Sequence, residues 1–103
     1  MADGAAVGQR VDLFLESVLL MLGDLPEIAE EWSELHEGER VSWSLDWDQA
    51  MGTNLRFLNV QYHAGTMTEQ QCARYRELLR RLKEHWPIIQ RLGLYPPPVP
   101  LEV

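Results

Sequence analysis

Two apolar stripes that match in mirror order constrain the fold of this 103-residue chain more than any other feature. One stripe lies in residues 44–64 and the other in residues 69–86, and both have the spacing of one face of an amphipathic helix. Read in opposite directions, they pair Trp47 with Trp86, Met51 with Leu82, Leu55 with Leu79, Leu58 with Tyr75, and Tyr62 with Cys72. Two antiparallel helices joined by a short turn give this pairing, so the sequence predicts a helical hairpin.

Two further amphipathic stretches precede the hairpin, and we expect them to cover its apolar face. The first spans residues 7–22 and should end at Gly23. The second should begin at Asp24, which has the side chain of an N-cap, and should end at Gly38. Four helices joined by short loops predict an all-α fold, namely a small four-helix bundle built around the hairpin.

The stretch between the second helix and the hairpin is ambiguous. Its apolar residues alternate with polar ones, at Val41, Trp43, Leu45 and Trp47. Alternation of this kind is typical of a β-strand, whereas helical spacing takes over from Trp47. We expect residues 39–47 to form a loop that leads into the helix at 44–64, and a short strand is the alternative that the pattern leaves open.

The C-terminal residues differ in character from the rest of the chain. Pro87 should restart the last helix and Gly93 should end it. Four of the six prolines then follow, at positions 96, 97, 98 and 100, and predict an extended polyproline-like tail. We therefore divide the chain into a helical-bundle domain, residues 1–93, and a Pro-rich tail, residues 94–103.

Acidic and basic residues are segregated along the chain. Residues 1–52 carry 12 acidic and two basic residues, a net charge of −10, and residues 53–103 carry seven basic and four acidic residues, a net charge of +3. The total of −7 argues against nucleic acid as the main partner, because phosphate contacts need a basic face. The longest apolar run is too short to span a bilayer, and the single cysteine fits a reducing cytoplasm. We expect a cytoplasmic protein with no membrane segment.

An acidic run on the predicted second helix is a candidate metal site. Its pattern, Glu-Glu-x-x-Glu, is formed by Glu30, Glu31 and Glu34. Carboxylates three residues apart share a helix face and can hold Mg²⁺ or Mn²⁺. The run resembles the first metal-binding element of the all-α nucleotide pyrophosphohydrolases, although their second Glu-x-x-Asp pair is absent here. The resemblance implies a Mg²⁺- or Mn²⁺-dependent hydrolase of a nucleotide or another phosphate compound. The alternative is a solvated helix face that binds no cofactor.

Two other groups of residues could have a catalytic or binding role. The predicted hairpin register places Asp48 opposite His85, between Trp47 and Trp86, where an acid–histidine pair could act as a general base. The predicted fourth helix carries Arg74, Arg80, Arg81 and Lys83, which could contact the phosphates of a nucleic acid. That basic face could equally be neutralised by the acidic second helix or by a partner. No nucleophile motif, phosphate loop or Cys-x-x-Cys occurs in the sequence.

These patterns favour a small non-catalytic module that binds another protein or a second copy of itself as a homodimer. Its candidate interface consists of tryptophans, which are enriched at interfaces, and of anchors in the tail, which should lie across its own bundle or a neighbour's. These residues are Trp43, Trp47, Trp86, Tyr95, Val99 and Leu101. The metal-dependent hydrolase and a nucleic-acid regulator are the two alternatives.

Overall fold

The computed structural model describes residues 2–102, and the side chains of residues 6–102. The elements are α1 (Ala2–Glu31), a 3₁₀ turn (Trp32–Glu34), α2 (Glu37–Gln49), a π-helical segment (Ala50–Leu55), α3 (Arg56–Ala64), α4 (Glu69–Glu84) and α5 (Trp86–Leu92). Because α2, the π-helical segment and α3 are continuous, the chain has four unbroken helical pieces, with no strand in residues 2–102. The predicted all-α fold and small helical bundle are confirmed. Among the described residues, no helix combines the length and the apolar character needed to cross a membrane.

The long helices lie side by side in a body of 49 × 26 × 18 Å. Helix α1 runs antiparallel to α2 and α3, and the rings of Phe14 and Phe57 meet edge to face at 5.2 Å. Helix α4 runs parallel to α1, because the Gln71 amide near its start donates to the Gly8 carbonyl at 3.2 Å and to the Asp12 carboxylate at 3.0 Å. Helix α5 also packs against α1.

The two helices predicted for residues 7–38 are one helix, α1, as far as Glu31. Gly23 does not end it and Asp24 does not cap a new one. A glycine in a helix interior costs about 1 kcal/mol and a proline such as Pro26 about 3 kcal/mol. The apolar stripe nevertheless continues across both residues, and each fully buried aliphatic side chain contributes roughly 1.5–3 kcal/mol. The stripe consists of Val11, Leu15, Val18, Leu22 and Leu25, all fully buried. Burial therefore outweighs the two local penalties.

Residues 39–47 are helical, so the loop expected before residue 44 and the alternative strand are both wrong, whereas the helix expected from residue 44 is present. Helix α2 begins after His36, whose backbone N–H donates to the Glu39 carboxylate at 3.1 Å, and Gly38 lies in its first turn. The apparent alternation arises from two helical faces, each with a spacing of four residues. Trp43 and Trp47 face inward and stack at 5.6 Å between ring centroids, whereas Val41 and Leu45 are exposed to solvent.

A π-helical segment, Ala50–Leu55, joins α2 to α3. A π turn contains one residue more than an α turn. The buried positions Trp47, Met51 and Leu55 are four residues apart, and in a regular α-helix each such step drifts by about 40° around the helix axis. The wider turn keeps the series on one side, so that Leu58 of α3 continues the same buried stripe.

The predicted turn of the hairpin is present between α3 and α4. Gly65 ends α3 with a left-handed backbone, φ 74°, and Thr68 caps α4 by accepting from the Gln71 backbone N–H at 3.1 Å. The helices meet through aromatic side chains: the Tyr62 and Tyr75 rings lie 4.9 Å apart, and the Tyr75 hydroxyl donates to the Asn59 side-chain carbonyl at 3.1 Å. Further along, Pro87 restarts the helix as α5 and Gly93 ends it, as predicted.

Tyr75 gives a testable pH dependence of stability. Burial, and secondarily the neighbouring Tyr62, raise the pKa of the Tyr75 phenol well above its ordinary value of 10.0. The folded chain therefore holds this proton more tightly than the unfolded chain, and stability should fall as the pH rises above about 10. Tyr75→Phe should lose about 1 kcal/mol at neutral pH with the hydrogen bond to Asn59, and its stability should fall less steeply at alkaline pH.

Denaturant unfolding across the pH range measures this difference, with Tyr95→Phe as the control for a tyrosine at the surface. An alkaline slope in Tyr75→Phe as steep as that of the wild-type chain would contradict the account.

Candidate binding site at the acidic end of the bundle

One end of the bundle, residues 24–48, carries a dense and unneutralised negative charge. Its nine carboxylates are Asp24, Glu27, Glu30, Glu31, Glu34, Glu37, Glu39, Asp46 and Asp48, all exposed. No ion pair among the described residues involves any of them. Arg40 is the one Lys or Arg in this segment, and its guanidinium donates to the Leu35 carbonyl at 2.8 Å and 3.1 Å. We call this region, with its net charge of −8, the acidic end.

Two cations of the basic half, Arg80 and Lys83, pair with carboxylates of that same half instead. On α4, the Arg80 guanidinium contacts the carboxylates of Glu77 and Glu84, and Lys83 contacts Glu102 of the tail at 2.6 Å. The hydrogen bond from Arg80 holds the pKa of the Glu77 carboxyl below its ordinary value. The expectation that the acidic stretch neutralises the basic helix is therefore wrong for these cations, and fewer of them are free for the phosphates of a nucleic acid.

The structure does not assemble a metal site from Glu30, Glu31 and Glu34. The first two lie in the last turn of α1, whereas Glu34 lies in the 3₁₀ turn that follows. All three side chains are exposed to solvent. Within the described part of the chain, no three His, Cys, Asp or Glu side chains converge as metal ligands would.

The predicted pair of Asp48 and His85 does not form. Asp48 is exposed on α2, and His85 lies at the junction of α4 and α5, where its Nδ1 is 2.7 Å from the Arg81 carbonyl. The histidine ring is therefore engaged with the backbone of its own helix, and no acid–histidine pair is available for proton transfer at this position.

Most of the candidate interface residues are buried or half-buried in the bundle. Trp47 is fully buried, Val99 is buried, and Trp43, Trp86 and Leu101 are half-buried, whereas Tyr95 is exposed. The tail returns over the bundle: the Trp47 indole N–H donates to the Tyr95 backbone carbonyl at 2.8 Å. Most of these side chains therefore contact their own bundle, and their role in an interface between proteins stays a prediction.

A polar groove lies at the edge of the acidic end. Helix α1 forms one wall, and α2 with the π-helical segment forms the other. Its volume is about 370 Å³, within the range of small-ligand sites. Its lining residues are Ser17, Met21, Asp24, Trp43, Asp46, Gln49, Ala50 and Asn54. Asp24 comes from α1 and Asp46 from α2, so the two carboxylates lie on opposite walls. The π-helical segment supplies Ala50 and Asn54, and such segments occur frequently at functional sites.

Asn54 is the unusual residue of this groove. It is 9% exposed, yet its side-chain amide makes no hydrogen bond with any residue that the structure describes. No enclosed polar side-chain atom in that part of the chain lacks a partner, so the amide atoms of Asn54 face the open groove rather than the core. This groove was not predicted from the sequence. Its available signals were an Asn within an apolar stripe and the four-residue spacing that the π turn accommodates.

Comparison with protein-family models, with curated proteins and with solved structures finds no match to this chain.

The contact between Trp47 and Tyr95 predicts that the tail stabilises the bundle. Trp47→Phe keeps an aromatic ring in the core but removes the N–H that binds the Tyr95 carbonyl. We expect a loss of about 1 kcal/mol in the free energy of unfolding, together with faster proteolysis in residues 94–102. Trp86→Phe is the matched control, because Trp86 makes no side-chain hydrogen bond within the described residues. Equal proteolysis of the tail in both variants and in the wild-type chain would contradict this role of Trp47.

Proposed function

We propose that this chain is a non-catalytic interaction module that binds a basic protein segment through its acidic end. The observation that supports the proposal is the set of nine exposed carboxylates with no ion pair among the described residues. Like charges held close together destabilise the folded chain through mutual repulsion. A partner of opposite charge relieves that repulsion and is also attracted to this end of the molecule over a distance.

Apolar side chains beside the carboxylates support a partner that is amphipathic as well as basic. Val41 is 52% exposed and Leu45 is 61% exposed, and their spacing of four residues places them on one face of α2. Exposed aliphatic side chains contribute binding energy when a partner covers them. A helical segment with lysine or arginine on one face and leucine on the other matches both features.

Binding to a labelled amphipathic peptide tests this proposal. We expect a peptide of lysine and leucine to bind, its glutamate–leucine counterpart not to bind, and added salt to weaken binding. The triple variant Glu30→Gln, Glu31→Gln, Glu34→Gln should bind about tenfold more weakly, because exposed charge pairs contribute about 0.2–1 kcal/mol each.

The matched control is the double variant Glu16→Gln, Glu69→Gln, which removes exposed carboxylates outside the acidic end. Fluorescence anisotropy measures all of these affinities. Equal affinity of the triple variant and the wild-type chain would remove the acidic end from the proposal.

Self-association is the second candidate, and the outer face of α1 favours it. Leu13 is 64% exposed and Leu20 is 63% exposed, seven residues apart and therefore on one face. If a second copy covers this face, Leu13→Gln, Leu20→Gln should convert a dimer to a monomer, and Val60→Gln, on the outer face of α3, should not. Sedimentation equilibrium measures the mass, and a wild-type chain that stays monomeric at high concentration would exclude the homodimer.

A further inference from the structure

We propose that the polar groove between α1 and α2 binds a guanidinium group, which an arginine side chain of the basic partner supplies. This inference rests on the proposed function for the source of the guanidinium. It goes further in assigning one binding pocket, a ligand chemistry and a preference for arginine over lysine. Three features of the groove support it, namely an amide that binds no other described side chain or backbone group, two carboxylates from different helices, and an indole.

The side-chain amide of Asn54 is available to form hydrogen bonds with a ligand in the groove. The amide atoms of Asn54 open onto the groove, since no enclosed polar side-chain atom of the described residues lacks a hydrogen-bond partner. Asn54 is 9% exposed and has no hydrogen-bond partner among the described residues, and it lines the groove. Its carbonyl can accept one of the N–H groups of a guanidinium placed there.

The carboxylates of Asp24 and Asp46 give the groove its charge. They lie on opposite walls, and neither forms an ion pair within the part of the chain that the structure describes. Gln49 and Ser17 add further oxygen acceptors to the same lining. A guanidinium has five N–H donors in one plane, so it can serve several acceptors at once, whereas a lysine ammonium has three donors at a single point.

The indole of Trp43 distinguishes an organic cation from a metal ion. Trp43 lines the groove and is held in place by stacking on Trp47, with 17° between the ring planes. A planar guanidinium stacks on an indole face and gains cation–π attraction there. A hard metal ion would use oxygen ligands and gain nothing from this wall or from the neighbouring Met21.

The test compares two helical peptides with the same leucine face, one with arginine and one with lysine on the polar face. Isothermal titration should show about tenfold tighter binding of the arginine peptide to the wild-type chain. Asp46→Asn and Asn54→Leu should abolish this preference while both peptides still bind. Asp48→Asn is the matched control, because Asp48 lies on α2 outside the groove, and it should keep the preference. Methylguanidine should compete with the arginine peptide if a free guanidinium can occupy the groove.

The outcomes separate the two proposals. Equal binding of both peptides to the wild-type chain would overturn the groove assignment and leave the proposed function standing. Failure of both peptides to bind would overturn the proposed function. If neither peptide binds, methylguanidine would still support the groove assignment, provided that it binds the wild-type chain and binds neither Asp46→Asn nor Asn54→Leu.

Because Asn54→Leu can disturb the π-helical segment, the surface variant Asp46→Asn decides the result if Asn54→Leu does not fold. An arginine preference that persists in Asp46→Asn would also overturn the assignment.

Discussion

The burial of one unbroken apolar stripe along α1 is the constraint on which the rest of the structure depends. The stripe runs from Val11 to Leu25 and carries the helix through Gly23 and past Pro26, two residues that favour a helix end. Because α1 does not stop there, residues 24–31 extend along the bundle instead of turning back across it. The acidic residues of that stretch therefore gather at one end, beside those of α2, and not against the basic helix α4.

The opposite helix has to keep its own stripe facing α1 over the same length. The buried residues from Trp47 to Leu55 are four apart, and the π-helical segment corrects the rotation that an α-helix would impose on them. The same correction places Asn54 beside the core but open to the groove. A single adjustment of helix geometry thus completes the core and also creates the unpaired polar group on which the binding proposal depends.

The sequence predicted the parts of the fold that depend on local and repeated signals. The hairpin turn at Gly65, the Thr68 cap and the restart at Pro87 follow from residue types whose backbone preferences are strong. The boundaries around Gly23 and in residues 39–47 were wrong, because tertiary burial outweighed a glycine and because two helical faces imitated a strand. The groove could not be predicted, since it depends on the relative register of α1 and α2, which no local pattern specifies. The predicted cluster of Asp48 and His85 failed for a similar reason, because His85 binds the backbone of its own helix.

Charge and register together bring carboxylates, an amide and an indole to one end of the bundle. The described residues bring neither a metal-ligand trio nor a paired histidine to one place, whereas carboxylates, an amide and an indole share one groove. This combination suits recognition of a planar cation.

The most direct measurement is a nuclear magnetic resonance titration of the ¹⁵N-labelled chain with methylguanidine. The account predicts that the side-chain amide signals of Asn54 and Gln49 and the indole signal of Trp43 shift together, and that the indole signal of Trp86 does not move. Shifts spread evenly over the backbone N–H signals of the acidic residues, with the side-chain amide signal of Asn54 unchanged, would contradict the account.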